Sequence, residues 1–232
     1  MMHAPQRIAH RGAPRELREN TLPSVLRAIE RGAEAIELDV HATLDGTVVV
    51  HHDFTLGADT ARPQFAGIAI AATPWETLQR VGYRDGHGMP TLAEVLEAVA
   101  ARATVYVEVK APGIEEAVVE LIRASATPCA VHGFDHRIPR RVHELAPEIP
   151  VGLLMDGYLL DAARVLRDAG ARDYWPNWRF CDAALVEAIH GAGGRVIPWT
   201  ADDPAVIARM IALGVDGLCT NDVRQLDAPL AP

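Results

Sequence analysis

The chain has 232 residues, 49% hydrophobic and 23% charged, which suits one large globular domain or two small ones. Its formal net charge of -9 argues against nucleic acid or an anionic membrane as the main partner. An anionic small substrate remains open, provided positive charge is gathered locally. Cys129, Cys181 and Cys219 show no C-x-x-C spacing and fit a reduced cytosolic protein better than a disulfide scaffold. The N-terminal MMHAPQRIAHRG lacks the apolar run of a signal peptide, and no apolar stretch is long enough to span a bilayer. A soluble cytoplasmic protein without membrane insertion is expected.

In chain order, RIAH is the first strand, followed by a helix near 22–31, AIELDV, and TVVVHH. Residues 56–74 form the one long irregular stretch and read as a loop or small insertion. A helix near 91–101 opens on the capping box Thr91/Glu94. TVYVEV, CAVHGF, VGLLM, DYWPNW, RVIPWT and DGLCT are the later strands. They alternate with helices near 114–124, 137–146, 160–169, 183–192 and 204–213, the last capped by Asp203 with Pro204 at its first position. Gly32, Gly170, Gly193 and Gly214 stand where helices should stop.

Such alternation means a parallel sheet, and a (β/α)8 TIM barrel fits the size. Nine strands are one too many. TVVVHH follows AIELDV through only HATLDG, too short for a crossover helix, so a turn at Asp45-Gly46 makes a hairpin excursion outside the barrel. An open doubly wound sheet is the competing architecture, but no G-x-G-x-x-G follows the first strand. The expectation is a single barrel domain over residues 1–232.

Barrel chemistry collects at the C-terminal ends of strands. His10 and Arg11 end the first strand, Glu37 and Asp39 the second, His52 and Asp53 the excursion, and Glu108 and Lys110 the next. Trp199 and Thr200, then Thr220 and Asn221, close the last two. Residues two apart in a strand share a face. Glu37 with Asp39, and Glu108 with Lys110, therefore point the same way. Three carboxylates converging on one mouth repel one another, and a hard divalent cation, Mg²⁺ or Ca²⁺, resolves that. Arg11 and Lys110 remain to bind an anion, the guanidinium fork being suited to phosphate. His10 and His52 supply two imidazoles that can exchange protons with substrate. Together these groups describe phosphoester hydrolysis.

The ordered segments IAHRG, ENTLPSVLRAIERGAEAIELDVHATLDGTVVVHHD, PTLAEVL, VYVEVK, WT and GVDGLCTND resemble the glycerophosphodiester phosphodiesterases, from about residue 8 to about 223. The resemblance implies a (β/α)8 barrel that hydrolyses small-molecule glycerophosphodiesters to glycerol 3-phosphate and an alcohol. It also implies Glu37, Asp39 and Glu108 as ligands of one divalent cation, usually Mg²⁺ or Ca²⁺, with Mn²⁺ admitted. His10 and His52 are then the acid–base pair, and Arg11 and Lys110 the phosphate contacts. Two segments depart from the family pattern. FTLGADTARPQFAG replaces an Arg-Thr-Thr run and a Gly-rich stretch, and His132-Gly133-Phe134 replaces Ser-Phe or Ser-Ser-Phe. Both bear on the leaving alcohol.

Plainer readings stand beside these. Glu108–Lys110 is also an ordinary ion pair across one strand face, which would remove the need for a metal. Glu19 either holds Arg11 or touches substrate; Asn20 or Thr21 caps the first helix. Trp199 either packs against glycerol carbons or fills the interior. His51 reads as structural, Asp53 as a turn cap or an orienter of histidine, and RIPRRVHEL as a solvated helix face. Phospholipase D-like action on lysophospholipids or sphingomyelin is a second reading, whose mark would be an apolar, mobile 56–74 loop. A non-catalytic phosphoester-binding module is a third, whose mark would be a missing catalytic residue, and none is missing.

Overall fold

A computed structural model describes residues 4–227; the ends of the expected 1–232 domain, with His3, lie outside the described residues. The chain runs β1 (Gln6–His10), α1 (Leu22–Glu30), β2 (Ala35–Ala42), β3 (Val48–Val50), α2 (Trp75–Leu78), α3 (Leu92–Val99), β4 (Thr104–Val109) and α4 (Glu115–Ala124). It continues β5 (Cys129–Gly133), α5 (Arg137–Leu145), β6 (Val151–Met155), α6 (Ala162–Asp168) and β7 (Asp173–Pro176). It ends α7 (Ala183–Gly191), β8 (Arg195–Val196), α8 (Pro204–Ala212) and β9 (Gly217–Thr220). The capping box forms at Thr91, and the Asp203 side chain accepts from the amides of Ala205 and Val206. Every strand anticipated from pattern is present; the four-residue α2 is an addition.

The parallel strands lie in the order β8-β7-β6-β5-β4-β2-β1-β9. The two ends meet through Asp216 N to Val196 O (2.9 Å), Cys219 N to Pro198 O (3.1 Å) and Ala201 N to Cys219 O (2.9 Å), which rolls the sheet into a barrel. Regular β8 is short because Pro198 has no amide proton to give to a ladder. The flanking amides of Ile197 and Trp199 still bond Tyr174 and Pro176, so the chain keeps its place in the wall. β3 pairs antiparallel with β2 outside the ring, as the short HATLDG connection requires.

Ile8, Ala35, Tyr106, Ala130, Leu154, Trp175, Ile197 and Cys219 fill the interior, one from each wall segment. Within this cluster, which also holds the small residues Ala35, Ala130 and Cys219, the Tyr106 and Trp175 rings meet edge to face with centroids 4.9 Å apart. The N-terminal end is sealed by polar bonds: Tyr106 Oη and Arg195 both donate to Gln6 Oε1, at 2.9 and 3.0 Å. That leaves the C-terminal mouth as the open end. After β3 the 56–74 stretch packs with β3 and the segment up to Met89 into a lobe whose core is Val49, Leu56, Ile70, Leu78, Val81, Tyr83 and Met89. Its apolar side chains are largely spent on that core, which accounts for an ordered insertion with little regular structure. Among the described residues, no helix is long and apolar enough to cross a membrane, and the three cysteines are free.

Candidate active site at the barrel mouth

Strand register assembles the site. His10 lies beside Glu37 across β1 and β2, Asp39 beside Glu108 across β2 and β4, and Glu108 beside His132 across β4 and β5. Glu37, Asp39, Glu108 and His132 are all buried, at 3%, 0%, 7% and 1% exposure. Ionised groups at such burial need partners or neutralisation.

Asp39 has partners. Asn20 Nδ2 donates to its Oδ2 at 2.9 Å, and Arg11 Nε and Lys110 Nζ stand 3.1 and 3.3 Å from its oxygens. Burial pushes this carboxyl upward, but Arg11 and Lys110 outweigh it and hold the group below the usual carboxylate range. Glu108 goes the other way. Burial first, then the charges of Asp39 and Glu37, push its carboxyl up to about 7, although Lys110 Nζ donates to its Oε1 at 2.7 Å. The plain ion pair therefore exists without neutralising the site. Three carboxylates face two fixed cations, and Glu37 Oε2 is buried without a hydrogen-bond donor, whereas Asp39 Oδ1 has Lys110 Nζ at 3.3 Å. Glu37, Glu108 and His132 offer ligand atoms within 4.8 Å of one another. The orphaned Glu37 oxygen, beside the Glu108 carboxyl on the cavity wall, fits a hard divalent cation.

Arg11 sits just past β1 at φ 57, and Gly12 follows at φ 94. This left-handed pair turns the guanidinium back over the mouth, and only glycine fits second: a Cβ there would lie 2.5 Å from Ser24 Oγ. Glu19 Oε1 accepts from Arg11 Nη1 at 2.9 Å, so Glu19 holds Arg11. Thr21 caps α1, and Asn20 is left to bond Asp39.

The two imidazoles are oriented differently. His10 Nδ1 lies 2.8 Å from Asn221 Oδ1, while Asn221 Nδ2 donates to Asp202 Oδ2. Asp202 thereby fixes the amide's direction, so His10 Nδ1 carries the proton and Nε2 faces Glu37 Oε2 at 3.9 Å. His52 Nδ1 donates to Asp53 Oδ1 at 2.7 Å, and His41 Nε2 donates to the His52 carbonyl at 3.2 Å. His51 is structural. Its Nε2 donates to the Thr55 carbonyl and its Nδ1 accepts from Tyr83 Oη, with burial pushing the ring's affinity for a proton down.

His10, Arg11, Glu37, His52, Glu108, Lys110 and Trp199 line one cavity of about 250 Å³ with His132 and Phe134. Asp39 lies behind Arg11 and Lys110, and Glu19 behind Arg11. Trp199 donates from Nε1 to the Trp175 carbonyl at 2.9 Å and meets Phe134 edge to face, so it both lines the cavity and roofs the interior. A wider cavity of about 610 Å³ adjoins through His52 and is lined by Arg18, Glu19, Asp59 and His87. The partners Asn20, His41 and Asp202 do not stand out as site residues in the sequence. His132 and Asn221 at strand ends were the only local signals.

A (β/α)8 barrel whose mouth gathers acids, a cationic clamp and two oriented imidazoles defines a hydrolase of phosphoric esters. The sequence profile of the glycerophosphoryl diester phosphodiesterase family matches residues 10–225, and the chain belongs to that family. It is an enzyme, a phosphoric diester hydrolase. It is 32% identical to a glycerophosphodiester phosphodiesterase of Caldanaerobacter subterraneus subsp. tengcongensis, covering 94% of this chain and 95% of that one. It is 31% identical to another from Bacillus altitudinis, covering 92% and 93%. An Oleispira antarctica phosphodiesterase, solved with the product sn-glycerol-3-phosphate, superposes with a TM-score of 0.88 at 25% identity, covering 97% of this chain and 96% of that one.

Proposed function

We propose that this enzyme hydrolyses small glycerophosphodiesters to glycerol 3-phosphate and an alcohol, with one divalent cation and two histidines. The observation that carries the reading is the convergence of Glu37, Asp39 and Glu108 with Arg11, Lys110, His10 and His52 on one mouth. The product bound by the Oleispira antarctica relative supports the substrate class. Glu37, Glu108 and Asp39 would hold the cation, Mg²⁺, Ca²⁺ or Mn²⁺. When bound, it supplies Lewis-acid stabilisation of charge on the phosphate oxygens.

The chain's own groups do the rest. Arg11, braced by Glu19 and Asp39, and Lys110 bind the phosphate and stabilise the charge that builds on it. His10 Nε2, unprotonated because Nδ1 is committed to Asn221, takes the proton of the attacking hydroxyl. His52, its Nδ1 tied to Asp53, gives a proton from Nε2 to the leaving alkoxide, which departs toward the adjoining cavity. The attacking hydroxyl is either water or the glycerol 2-hydroxyl; in the second case water must then open the cyclic phosphate to give glycerol 3-phosphate, and a cyclic phosphate in the phosphorus NMR spectrum of the reaction distinguishes it. Trp199 offers an apolar face for glycerol carbons.

Incubating the enzyme with glycerophosphocholine, glycerophosphoethanolamine, glycerophosphoglycerol and a lysophospholipid, with each divalent ion and with EDTA, tests the reading. Glycerol 3-phosphate should appear from the first three and vanish with EDTA. Choline release from the lysophospholipid alone would favour the long-chain alternative. That alternative gains little from the 56–74 lobe, whose Leu56 and Ile70 are buried. Binding without turnover would favour a silent module.

A further inference from the structure

His132, the next-to-last residue of β5, is 1% exposed, and neither ring nitrogen has a hydrogen-bond partner. A buried imidazole left unsatisfied costs about 1–3 kcal/mol, and core histidines ordinarily spend an N–H on a carbonyl or carboxylate. Packing aims this ring: Trp175 meets it edge to face at 4.4 Å between centroids, and Tyr106 stacks at 6.1 Å. Nε2 lies 3.7 Å from Glu37 Oε1, too far for a hydrogen bond. Two donors about 2.1 Å from a shared ion stand at most about 4.2 Å apart, so that spacing suits neighbours in one coordination shell. Glu37 Oε2 is itself without a donor, and Glu108 is the cross-strand neighbour of His132.

Resting on the cation reading above, we propose that His132 is a nitrogen ligand of that cation, joining Glu37 and Glu108. Its imidazole turns the site's preference from Mg²⁺ and Ca²⁺ toward Mn²⁺, Co²⁺ and Zn²⁺. Imidazole is a borderline donor that binds transition ions well, whereas Mg²⁺ and Ca²⁺ favour oxygen.

Calorimetric titration of chelator-treated protein with Mn²⁺ and with Mg²⁺, and the electron spin echo modulation of bound Mn²⁺, test this. Wild type should bind Mn²⁺ at least about tenfold more tightly than Mg²⁺ and show ¹⁴N modulation from a directly bound imidazole. His132→Ser and His132→Gln should lose the modulation and at least about tenfold in Mn²⁺ affinity, with a smaller loss for Mg²⁺. Gln fills most of the ring's space, and circular dichroism of each variant verifies its fold. Modulation that persists in both folded variants, or Mn²⁺ affinity equal to wild type, overturns the assignment. Glu37→Gln separates the two levels. If it loses Mn²⁺ while the His132 variants keep it, only the histidine assignment falls; if wild type takes up no ion, the cation reading falls with it.

Discussion

Glu108→Gln should stabilise the metal-free enzyme above neutral pH, although it removes one partner of an ion pair. The Glu108 carboxyl titrates near 7 instead of 4.5 because it is buried beside Asp39 and Glu37. A raised carboxyl binds its proton more tightly in the folded state than in the unfolded one. Stability is therefore whole below pH 4.5, falls as pH rises from there to about 7, and is flat above. At about 1.4 kcal/mol per pH unit, the ionised side chain costs the folded protein about 3 kcal/mol, with the attraction of Lys110 already included. Glutamine carries no such cost. For a domain of this size the variant should melt roughly 5–10 °C higher at pH 8 and level with wild type at pH 4. Thermal unfolding of EDTA-treated wild type and variant from pH 4 to 8.5 measures the difference, in which titrations common to both cancel. A difference that does not change with pH, or a variant less stable at pH 8, would refute the electrostatic account of the site.

His52→Ala should cost about 10²–10⁴-fold in turnover of alkyl glycerophosphodiesters and far less with nitrophenyl esters, which leave without a proton. Equal losses would show that His52 is not the acid. Asn221→Ala should lower kcat by about 10²-fold with KM unchanged, because it frees the His10 ring whose Nδ1 it holds at 2.8 Å; an effect confined to KM would contradict that role. Gly12→Ala places a Cβ 2.5 Å from Ser24 Oγ and 2.7 Å from the Ser24 carbonyl carbon at positive φ, so the urea midpoint should fall by the equivalent of at least about 2–3 kcal/mol. An unchanged midpoint would mean that the Arg11–Gly12 turn relaxes freely.

Each element of the barrel was legible locally. Strand and helix periods, the capping box at Thr91, Asp203 before Pro204 and the short HATLDG link reflect interactions a few residues apart, and the structure keeps them all. The one-face pairing of Glu37 with Asp39 and Glu108 with Lys110 follows from the two-residue period of any strand. Less legible was the partnership of each charge. Asp39 and Glu108 look alike in the sequence, yet one is held ionised by Arg11, Lys110 and Asn20 and the other is pushed up to about 7. The difference arises from burial and from groups brought together across β2 and β4.

Chain alone thus determined the alternation, the strand ends and the residue types presented there, because backbone propensity and side-chain period are short-range. Tertiary structure decided what those residues became. Ring closure through Pro198 and Cys219 makes the wall, and the register of β5 against β4 sets His132 beside Glu108. Asp202 reaches His10 through Asn221, joining the first strand of the barrel to the loops around the last. Distances between groups so far apart depend on how every intervening element packs, which no local pattern encodes.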